Sequence, residues 1–284
     1  MNRVVSGKVE PVRRSYNKSK NNIPKVYVVG AGVRGRKHLT LEAISYLRKA
    51  SLVLFFPFES ISSEWLVDGL GVSMVESLAP LYQDGAVDAE NYKRIINRII
   101  SAAQEFGSVA VLVPGHPRVG VSWVRELERR ELEGQIQILV VDGISSFDTM
   151  ITDLGLDPLE NGAVVVDANR LLLYRLQLDP RLDYYIYHIC SVGTSRTNYS
   201  NPALDNKLHY LKQWLLQSFP SNHEVMLIQS STIQGKSSVL ATCPLQELEN
   251  ISSLITFATS LFLPGLRISS KPIDKEFLAL LAEK

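Results

Sequence analysis

One feature near the amino terminus constrains the fold of this 284-residue chain most: an apolar run that empties into glycines. Residues 26–29 are Val, Tyr, Val and Val, and Gly30 and Gly32 follow at once. This pattern predicts a buried strand that ends in a tight loop. A helix predicted over 41–50 and a strand over 52–56 complete a strand, helix, strand unit, which indicates a parallel sheet in an α/β fold.

The same pattern recurs twice further along the chain. A helical stripe over 92–106 leads into a strand over 109–113, which ends in the loop 114–117 (Pro-Gly-His-Pro). Another strand, over 136–141, precedes the loop 143–146 (Gly-Ile-Ser-Ser). Ligands of parallel α/β sheets bind beyond the carboxyl ends of the strands, where loops converge. We therefore expect the three loops to line one cleft.

Beyond residue 158 the pattern changes to that of a second, mixed α/β domain. Only one long helix is evident there, over 203–218, with Leu204, Leu208, Leu211 and Leu215 on one face. The predicted fold has two α/β domains with a cofactor cleft between them: a basic flexible tail over 1–24, a first domain over 25–143 and a second over 144–284. The predicted strands of the second domain lie at 163–166, 184–189, 224–228, 239–242 and 255–262.

Composition excludes several classes of partner. The net charge of +1 gives no overall attraction to nucleic acid or to an anionic membrane. No apolar run reaches the roughly 20 residues of a membrane-spanning helix, and the first residues lack a secretory apolar core, so we expect a cytoplasmic protein. Cys190 and Cys243 are interpreted as buried thiols, and no residue spacing resembles a metal site.

The glycine loop by itself suggests a dinucleotide. Gly30, Gly32 and Gly35 form a G-x-G-x-x-G pattern after a strand, which is typical of nicotinamide and flavin sites. In that fingerprint the helix begins within the glycines, whereas here Thr40 is the first good N-cap. Glu59, the nearest acid for a ribose, lies past a proline rather than at the strand end. A different cofactor or a plain tight turn is therefore favoured.

The three loops together resemble the tetrapyrrole methylase superfamily. The first loop with the Leu-Thr-Leu-Glu-Ala segment at 39–43 resembles its amino-terminal signature, and 114–117 resembles its GDP or GHP loop. The segment 143–146, followed by Leu-Gly-Leu at 154–156, resembles its PGISS and LGLP segments. The similarity runs from about residue 25 to 265. It implies S-adenosylmethionine (SAM) bound in the cleft between the two domains.

Within that superfamily the chain is most similar to borosin-type peptide α-N-methyltransferases, which methylate backbone amides. The similar stretches are 81–83 (Leu-Tyr-Gln), 153–158 (Asp-Leu-Gly-Leu-Asp-Pro) and 205–207 (Asp-Asn-Lys), with His116 where other members have Asp. Ser145 and Ser146 also suit a helix N-cap, and His116 suits a loop-shaping role; His38 and His188 have weaker claims to chemistry. The implied cofactor-binding residues are Gly30, Gly32, Pro114, Gly115, His116, Val119, Ser145, Ser146, Ala168, Gly193, Gln229 and Pro264.

The resemblance implies that Tyr82 and Tyr92 are catalytic. The segment between them departs from the family pattern, because it is shorter, lacks a further tyrosine and has Asp88 where an arginine is expected. A tyrosine ordinarily titrates near 10, so a role as base needs a positive neighbour, and Arg94 and Arg98 are the nearest in sequence. Both tyrosines also suit a simple packing role.

The leading hypothesis is N-methylation of a peptide backbone. Because borosin enzymes often carry their substrate as a carboxy-terminal extension and this sequence ends soon after residue 265, we expect a separate precursor chain. A homodimer is implied by the resemblance. The alternatives are methylation of a tetrapyrrole or another small metabolite, a non-catalytic SAM-binding scaffold and, last, a dinucleotide oxidoreductase.

Overall fold

The first of two sheets is parallel and five-stranded. A computed structural model describes residues 23–58, 61–232, 236–266 and 274–282, so nearly all of the predicted tail over 1–24 lies outside the described residues. The strand order is β3-β2-β4-β1-β5, and every neighbouring pair is parallel, as the sequence predicts. The strands are β1 Lys25–Gly30, β2 Leu52–Phe55, β3 Val75–Ser77, β4 Ser108–Val113 and β5 Gln137–Val141.

Both faces of this sheet are covered by helices, which is why its central strands β1, β2 and β4 are almost entirely apolar, while the edge strands β3 and β5 also carry polar residues. Val26 and Val28 of β1 face one core, and Tyr27 and Val29 face the other. Thr40 caps its helix as predicted, because its side chain accepts the Ala43 N–H at 3.0 Å. The helices of this part are α1 Leu41–Lys49, α2 Asp88–Phe106 and α3 Val124–Leu132.

The second sheet is mixed, with the order β6-β7-β10-β8-β9. β6 and β7 are parallel, and β10 is antiparallel to both β7 and β8. The carboxyl ends of β6, β7 and β8 therefore lie at one edge, and that of β10 lies at the opposite edge. The strands are β6 Ala163–Asp167, β7 Asp183–Tyr187, β8 Glu224–Ile228, β9 Val239–Pro244 and β10 Ser260–Leu263.

The remaining helices cover the two faces of the second sheet. One face packs on Leu171 and Leu211, and the other face packs on Met150. Tyr185 and Phe262 of the second sheet pack against Met150 on that second face. The helix that carries Met150 follows β5, so it connects the first sheet to the second. These helices are α4 Ser146–Leu154, α5 Pro158–Asn161, α6 Ala168–Leu173 and α7 Leu208–Leu215, and α8 Lys275–Ala282 follows near the end.

Two predicted elements of the second half are wrong in extent. The helix predicted over 203–218 begins only at Leu208, because Asn206 uses its side chain to bond Val192 N and Ile189 O. Leu204 is consequently 68% exposed instead of joining the buried leucine stripe. The strand predicted over 255–262 begins only at β10, because residues 256–259 form a turn. In this turn the Thr259 hydroxyl oxygen accepts the Thr256 N–H and contacts the Thr256 hydroxyl. In the part of the chain that the structure describes, no helix is long and apolar enough to cross a membrane.

Candidate functional site

The three predicted loops meet at the carboxyl edge of the first sheet. Gly30 and Gly143 lie so close that a Cβ on either would come within 2.8 Å of the other's backbone, and one on Gly143 would lie 2.5 Å from the Gly115 carbonyl oxygen. Gly32 and Gly115 exchange two backbone hydrogen bonds of 3.0 and 3.1 Å. These glycines are thus required by backbone packing between the loops, a role that the sequence does not distinguish from contact with a ligand.

Two residues that follow the first glycines anchor this loop. His38 Nδ1 accepts the N–H groups of Val33 and Arg34 at 3.3 and 3.2 Å. The Arg34 guanidinium reaches the second half of the chain, where it contacts Asp153 Oδ1 at 3.3 Å and donates to the Ser231 carbonyl at 3.1 Å. Arg34 therefore ties the glycine loop to α4 and to the segment after β8.

The anchoring by His38 predicts a pH-dependent stability. Burial, and then the positive charge of Arg34, lower the pKa of His38 below its ordinary value of 6.5. As pH falls, His38 therefore takes up a proton in the unfolded chain at a higher pH than in the folded chain. The stability that neutral His38 contributes is complete above about pH 6.5 and is lost as pH falls below it. We expect the melting temperature to fall less steeply between about pH 7 and about pH 5 in His38→Gln than in the wild type.

Circular dichroism melts at a series of pH values measure this effect. His209→Gln, which changes a histidine of α7 in ring contact with Tyr210, is the matched control and should keep the wild-type slope. Equal slopes for His38→Gln and the wild type would contradict the anchoring role.

The loop after β4 is shaped by His116, as the sequence suggests. Its Nδ1 accepts the Arg118 N–H at 3.1 Å, and its Nε2 lies 3.4 Å from Asp142 Oδ1. Its carbonyl accepts the Val119 N–H at 2.9 Å, which closes the turn. Gly115 in this loop has a φ of +70°, and a Cβ added there would meet no atom within 4 Å. The loop therefore presents an open backbone face beside the exposed Pro114.

The loop after β5 leads into a fully capped helix start. Ser145 accepts the Asp148 N–H and donates its hydroxyl to the Asp148 carboxylate, which also accepts the Ser145 N–H in a capping box. The Ser146 hydroxyl lies 2.9 Å from the Tyr187 hydroxyl at the end of β7. Both hydroxyls thus have protein partners, so the groups that this turn can offer a ligand are backbone N–H groups.

Two predicted cofactor-binding residues, Ala168 and Gln229, follow strands of the second sheet. Ala168 follows β6 but is fully buried in the core, and Gln229 follows β8, where its side-chain oxygen accepts the Thr256 hydroxyl at 2.7 Å. Ser230, next to Gln229, bonds Thr149 and Ser146 of α4. The carboxyl ends of β7 and β8 therefore adjoin the first turn of α4.

Gly193 and Pro264 do not join this edge in the same way. Gly193 lines a groove of about 690 Å³ with Asn169, Tyr210 and Trp214. Grouping Pro264 with the cofactor-binding residues is wrong on geometry: β10 is antiparallel to β7, so Pro264 lies beside the amino-terminal end of β7. There its carbonyl accepts a hydrogen bond from His223 Nε2 at 2.7 Å.

The segment that carries Tyr82 and Tyr92 is clamped between the two halves. Asp88 accepts Thr197 N–H at 3.1 Å and the Thr197 hydroxyl at 2.9 Å, and its own N–H donates to Ser195. The Tyr82 hydroxyl donates to the same carboxylate at 3.4 Å. Asp88, at the position where the resemblance implies an arginine, is therefore a contact between the halves of the chain.

The electrostatics keep both tyrosines protonated. Burial and then Asp88 raise the pKa of Tyr92 to about 12 and raise the pKa of Tyr82 further. Arg94 and Arg98, the nearest positive residues in sequence, are engaged elsewhere: Arg94 bonds Leu81 O and Asn91, and Arg98 pairs with Glu76. At neutral pH the two phenols are hydrogen-bond donors rather than bases.

The sequence does not predict the pairing of His188 with Asp167, whose charge acts on Tyr92. His188 Nδ1 lies 2.6 Å from Asp167 Oδ2, and both residues stand at the carboxyl ends of neighbouring parallel strands. The signal was present, since each polar residue directly follows an apolar run. It was obscured because the predicted strand over 184–189 placed His188 inside β7 instead of after it.

Comparison with known proteins decides the family. The family profile described as Tetrapyrrole (Corrin/Porphyrin) Methylases matches residues 25–249. This chain is a tetrapyrrole methylase family member. The match confirms the family that the three loops resemble, and the solved structures described below confirm the two-sheet α/β fold.

Two curated relatives of this family member are fungal. A protein of Phlebiopsis gigantea, named as a methyltransferase and type II borosin cyclic peptide precursor, is 26% identical over 259 residues. A type I counterpart from Cerrena unicolor is also 26% identical, over 258 residues. The alignments cover 89% of this chain but 45% and 61% of the relatives, so the chain spans about half the length of the curated proteins it matches.

Solved structures support the fold of this tetrapyrrole methylase family member. Uroporphyrin-III-C-methyltransferase from Thermus thermophilus superposes with a TM-score of 0.58 at 22% identity, covering 85% of this chain and 92% of its own. The methyltransferase CobJ gives a TM-score of 0.60 at 15% identity, covering 87% and 97%. At these identities the likeness shows the shared fold.

Proposed function

We propose that this protein is a SAM-dependent methyltransferase that N-methylates backbone amides of a peptide supplied as a separate chain. The observation that carries the proposal is the match, along 89% of this chain, to proteins named as borosin methyltransferase and precursor. The convergence of three strand-end loops with the ends of β7 and β8 supplies a compatible site.

The residues at this edge fit a small, polar, carboxylate-bearing cofactor. The backbone face of Gly115 is open, and the first turn of α4 offers N–H groups that have no partner within the helix. The loop 114–119, the turn at Ser145 and Ser146, and the backbone near Gln229 are the groups that would hold SAM. When bound, SAM supplies an electrophilic methyl group on a sulfonium.

The chain itself must orient the acceptor amide and exclude water. Positioning of this kind can lower a barrier by roughly 7–11 kcal/mol in favourable cases. A backbone amide nitrogen is a poor nucleophile because its lone pair is delocalised, so charge that builds on the amide oxygen must be stabilised. Tyr92, kept as a neutral donor, has the chemistry for that task, whereas the hydroxyl hydrogen of Tyr82 is already donated to Asp88.

Mass spectrometry tests the acceptor. Purified protein, SAM and short apolar peptides encoded beside its gene are incubated together, and we expect gains of about 14 Da per methyl group, located on the backbone by fragmentation. A methylated tetrapyrrole or other small metabolite, with unchanged peptides, would contradict the peptide assignment. Bound SAM with no methylated product in either arm would favour a scaffold.

We also propose a homodimer, as the family resemblance implies. Light scattering coupled to size exclusion should give about twice the 31.7 kDa of one chain. A mass equal to one chain would contradict it.

A further inference from the structure

The geometry assigns to His188, oriented by Asp167, the task of taking the proton from the methyl acceptor. This inference rests on the proposed methyltransferase function and adds to it the proton acceptor that Tyr82 and Tyr92 cannot supply. It concerns only residues of this chain, and neither of them is among the site residues that the sequence predicts.

The topology places the pair with little freedom. β6 and β7 are parallel with Asp167 opposite Tyr187, so His188 is the next residue beyond that register position. Asp167 Oδ1 accepts the Arg170 N–H at 2.8 Å as the N-cap of α6, and Oδ2 contacts His188 Nδ1 at 2.6 Å. One carboxylate oxygen of Asp167 thus caps α6, while the other orients the imidazole of His188.

This arrangement determines which ring nitrogen can accept a proton. Burial raises the pKa of Asp167, but the hydrogen bonds from His188 and from the Arg170 N–H outweigh it and hold the pKa below its ordinary value. An ionised carboxylate only accepts, so Nδ1 carries the hydrogen and Nε2 keeps a lone pair. The same division of roles operates in triads of the Ser-His-Asp type.

Nε2 points toward the loop that follows β4. A Cβ added to Gly120 would lie 3.1 Å from His188 Nε2, so the imidazole reaches the loop that begins at Pro114. The His188 side chain retains about 30% exposure, and that of Asp167 about 26%. The proton-accepting nitrogen therefore lies where the second sheet meets the proposed cofactor loop.

The backbone of His188 is strained. Its φ of +56° and ψ of 33° place a non-glycine residue in the left-handed region, where the Cβ crowds the backbone. Strain of this kind persists where the surroundings over-determine a conformation, and it concentrates at functional sites. Here it turns the chain out of β7 as the imidazole meets Asp167.

The other titratable groups around the pair do not compete for the proton. Tyr92 and Asp88 of α2 and Cys190 of the turn after β7 interact electrostatically with one another, and Asp167 acts on Tyr92 and Cys190. Burial is the main cause that raises the pKa of Tyr92 to about 12 and that of Cys190 to about 11. Tyr187 is likewise raised to about 12, chiefly by burial.

The proton transfer balances without a further reactant. The acceptor N–H bond breaks as its proton moves to His188 Nε2, and the electron pair left on nitrogen forms the bond to the methyl carbon. The carbon–sulfur bond breaks with its electrons on sulfur, which becomes a neutral thioether. The Asp167 carboxylate stabilises the resulting imidazolium until it returns the proton to water.

His188→Asn is the sharpest variant, because asparagine tolerates the left-handed conformation and can donate to Asp167 but cannot accept the proton. We expect kcat to fall about 100-fold or more, with the affinity for SAM within about threefold of the wild type. His209→Asn is the control and should keep wild-type kinetics.

A second readout does not depend on activity. In ¹⁵N-histidine NMR of the wild-type protein we expect His188 as the Nδ1–H tautomer, and in Asp167→Asn a loss of this single tautomer. A wild-type His188 that carries its hydrogen on Nε2 would overturn the inference whether or not peptides are methylated. So would a His188→Asn variant with wild-type kcat. Failure of the wild type to methylate any peptide would instead overturn the proposed acceptor.

Discussion

Gly143→Ala is expected to destabilise the protein by about 3 kcal/mol and to abolish SAM binding. The added methyl would lie 2.5 Å from the Gly115 carbonyl oxygen and 2.8 Å from Gly30 Cα. Both obstacles are backbone atoms at strand ends, so relief requires the loops themselves to move apart. Urea unfolding gives the loss of stability, and calorimetry gives the loss of binding.

Gly134→Ala is the control for this substitution. Gly134 follows α3, and its φ of +71° makes alanine strained, but the added methyl would meet no atom within 4 Å. The control should lose only about 1–2 kcal/mol and should bind SAM normally. If Gly143→Ala were no less stable than this control, the close approach of the three loops would be refuted.

Tyr92→Phe is expected to lower kcat about 100-fold while leaving the fold intact. The reason is the loss of a neutral hydrogen-bond donor for the oxygen of the acceptor amide, since burial and Asp88 keep the phenol protonated with a pKa of about 12. The ring, which packs against the first core, is retained. Steady-state methylation of a peptide, followed by mass spectrometry, measures kcat.

Tyr174→Phe removes the hydroxyl of a tyrosine that is 60% exposed after α6 and serves as the control. It should leave kcat unchanged. The pH dependence of the rate distinguishes Tyr92 as a hydrogen-bond donor from Tyr92 as a base. If Tyr92 is a donor, the rate does not rise between about pH 8 and about pH 10. A wild-type rate that climbs through this range and a flat profile in Tyr92→Phe would identify the phenolate as base and contradict the donor role.

The first half of the fold follows from its sequence because its signals are local. The central strands β1, β2 and β4 are apolar runs that end at or close to a glycine or a proline, and Thr40 is a helix cap recognisable from one residue. The edge strand β3 has no apolar run and is not predicted. The convergence of the loops then follows from the geometry of parallel strands.

The second half depends on contacts that no local pattern contains. Asn206 delays the start of the helix to Leu208 by bonding to a turn 14 to 17 residues before it. The position of Pro264 depends on the direction of β10, which is set by pairing with β7. The pair Asp167 and His188 requires both the register of β6 with β7 and a left-handed residue. These features are tertiary, so spacing along the chain could not reveal them.

We propose that SAM binds at the loops where Gly30, Gly115 and Gly143 meet. Gly115→Ala and Gly134→Ala form a matched pair, because their φ values are +70° and +71° and neither added methyl meets an atom within 4 Å. They differ in place: one lies on the proposed cofactor face and the other follows α3.

Isothermal titration calorimetry of the wild type and these two variants with SAM, its demethylated product and NAD is the most direct test. We expect one site for SAM and for the product and no heat from NAD. We expect binding of SAM to be weakened at least tenfold in Gly115→Ala and unchanged in Gly134→Ala. Tight NAD binding without a response to SAM, or equal SAM affinity in the two variants, would contradict the proposed SAM site.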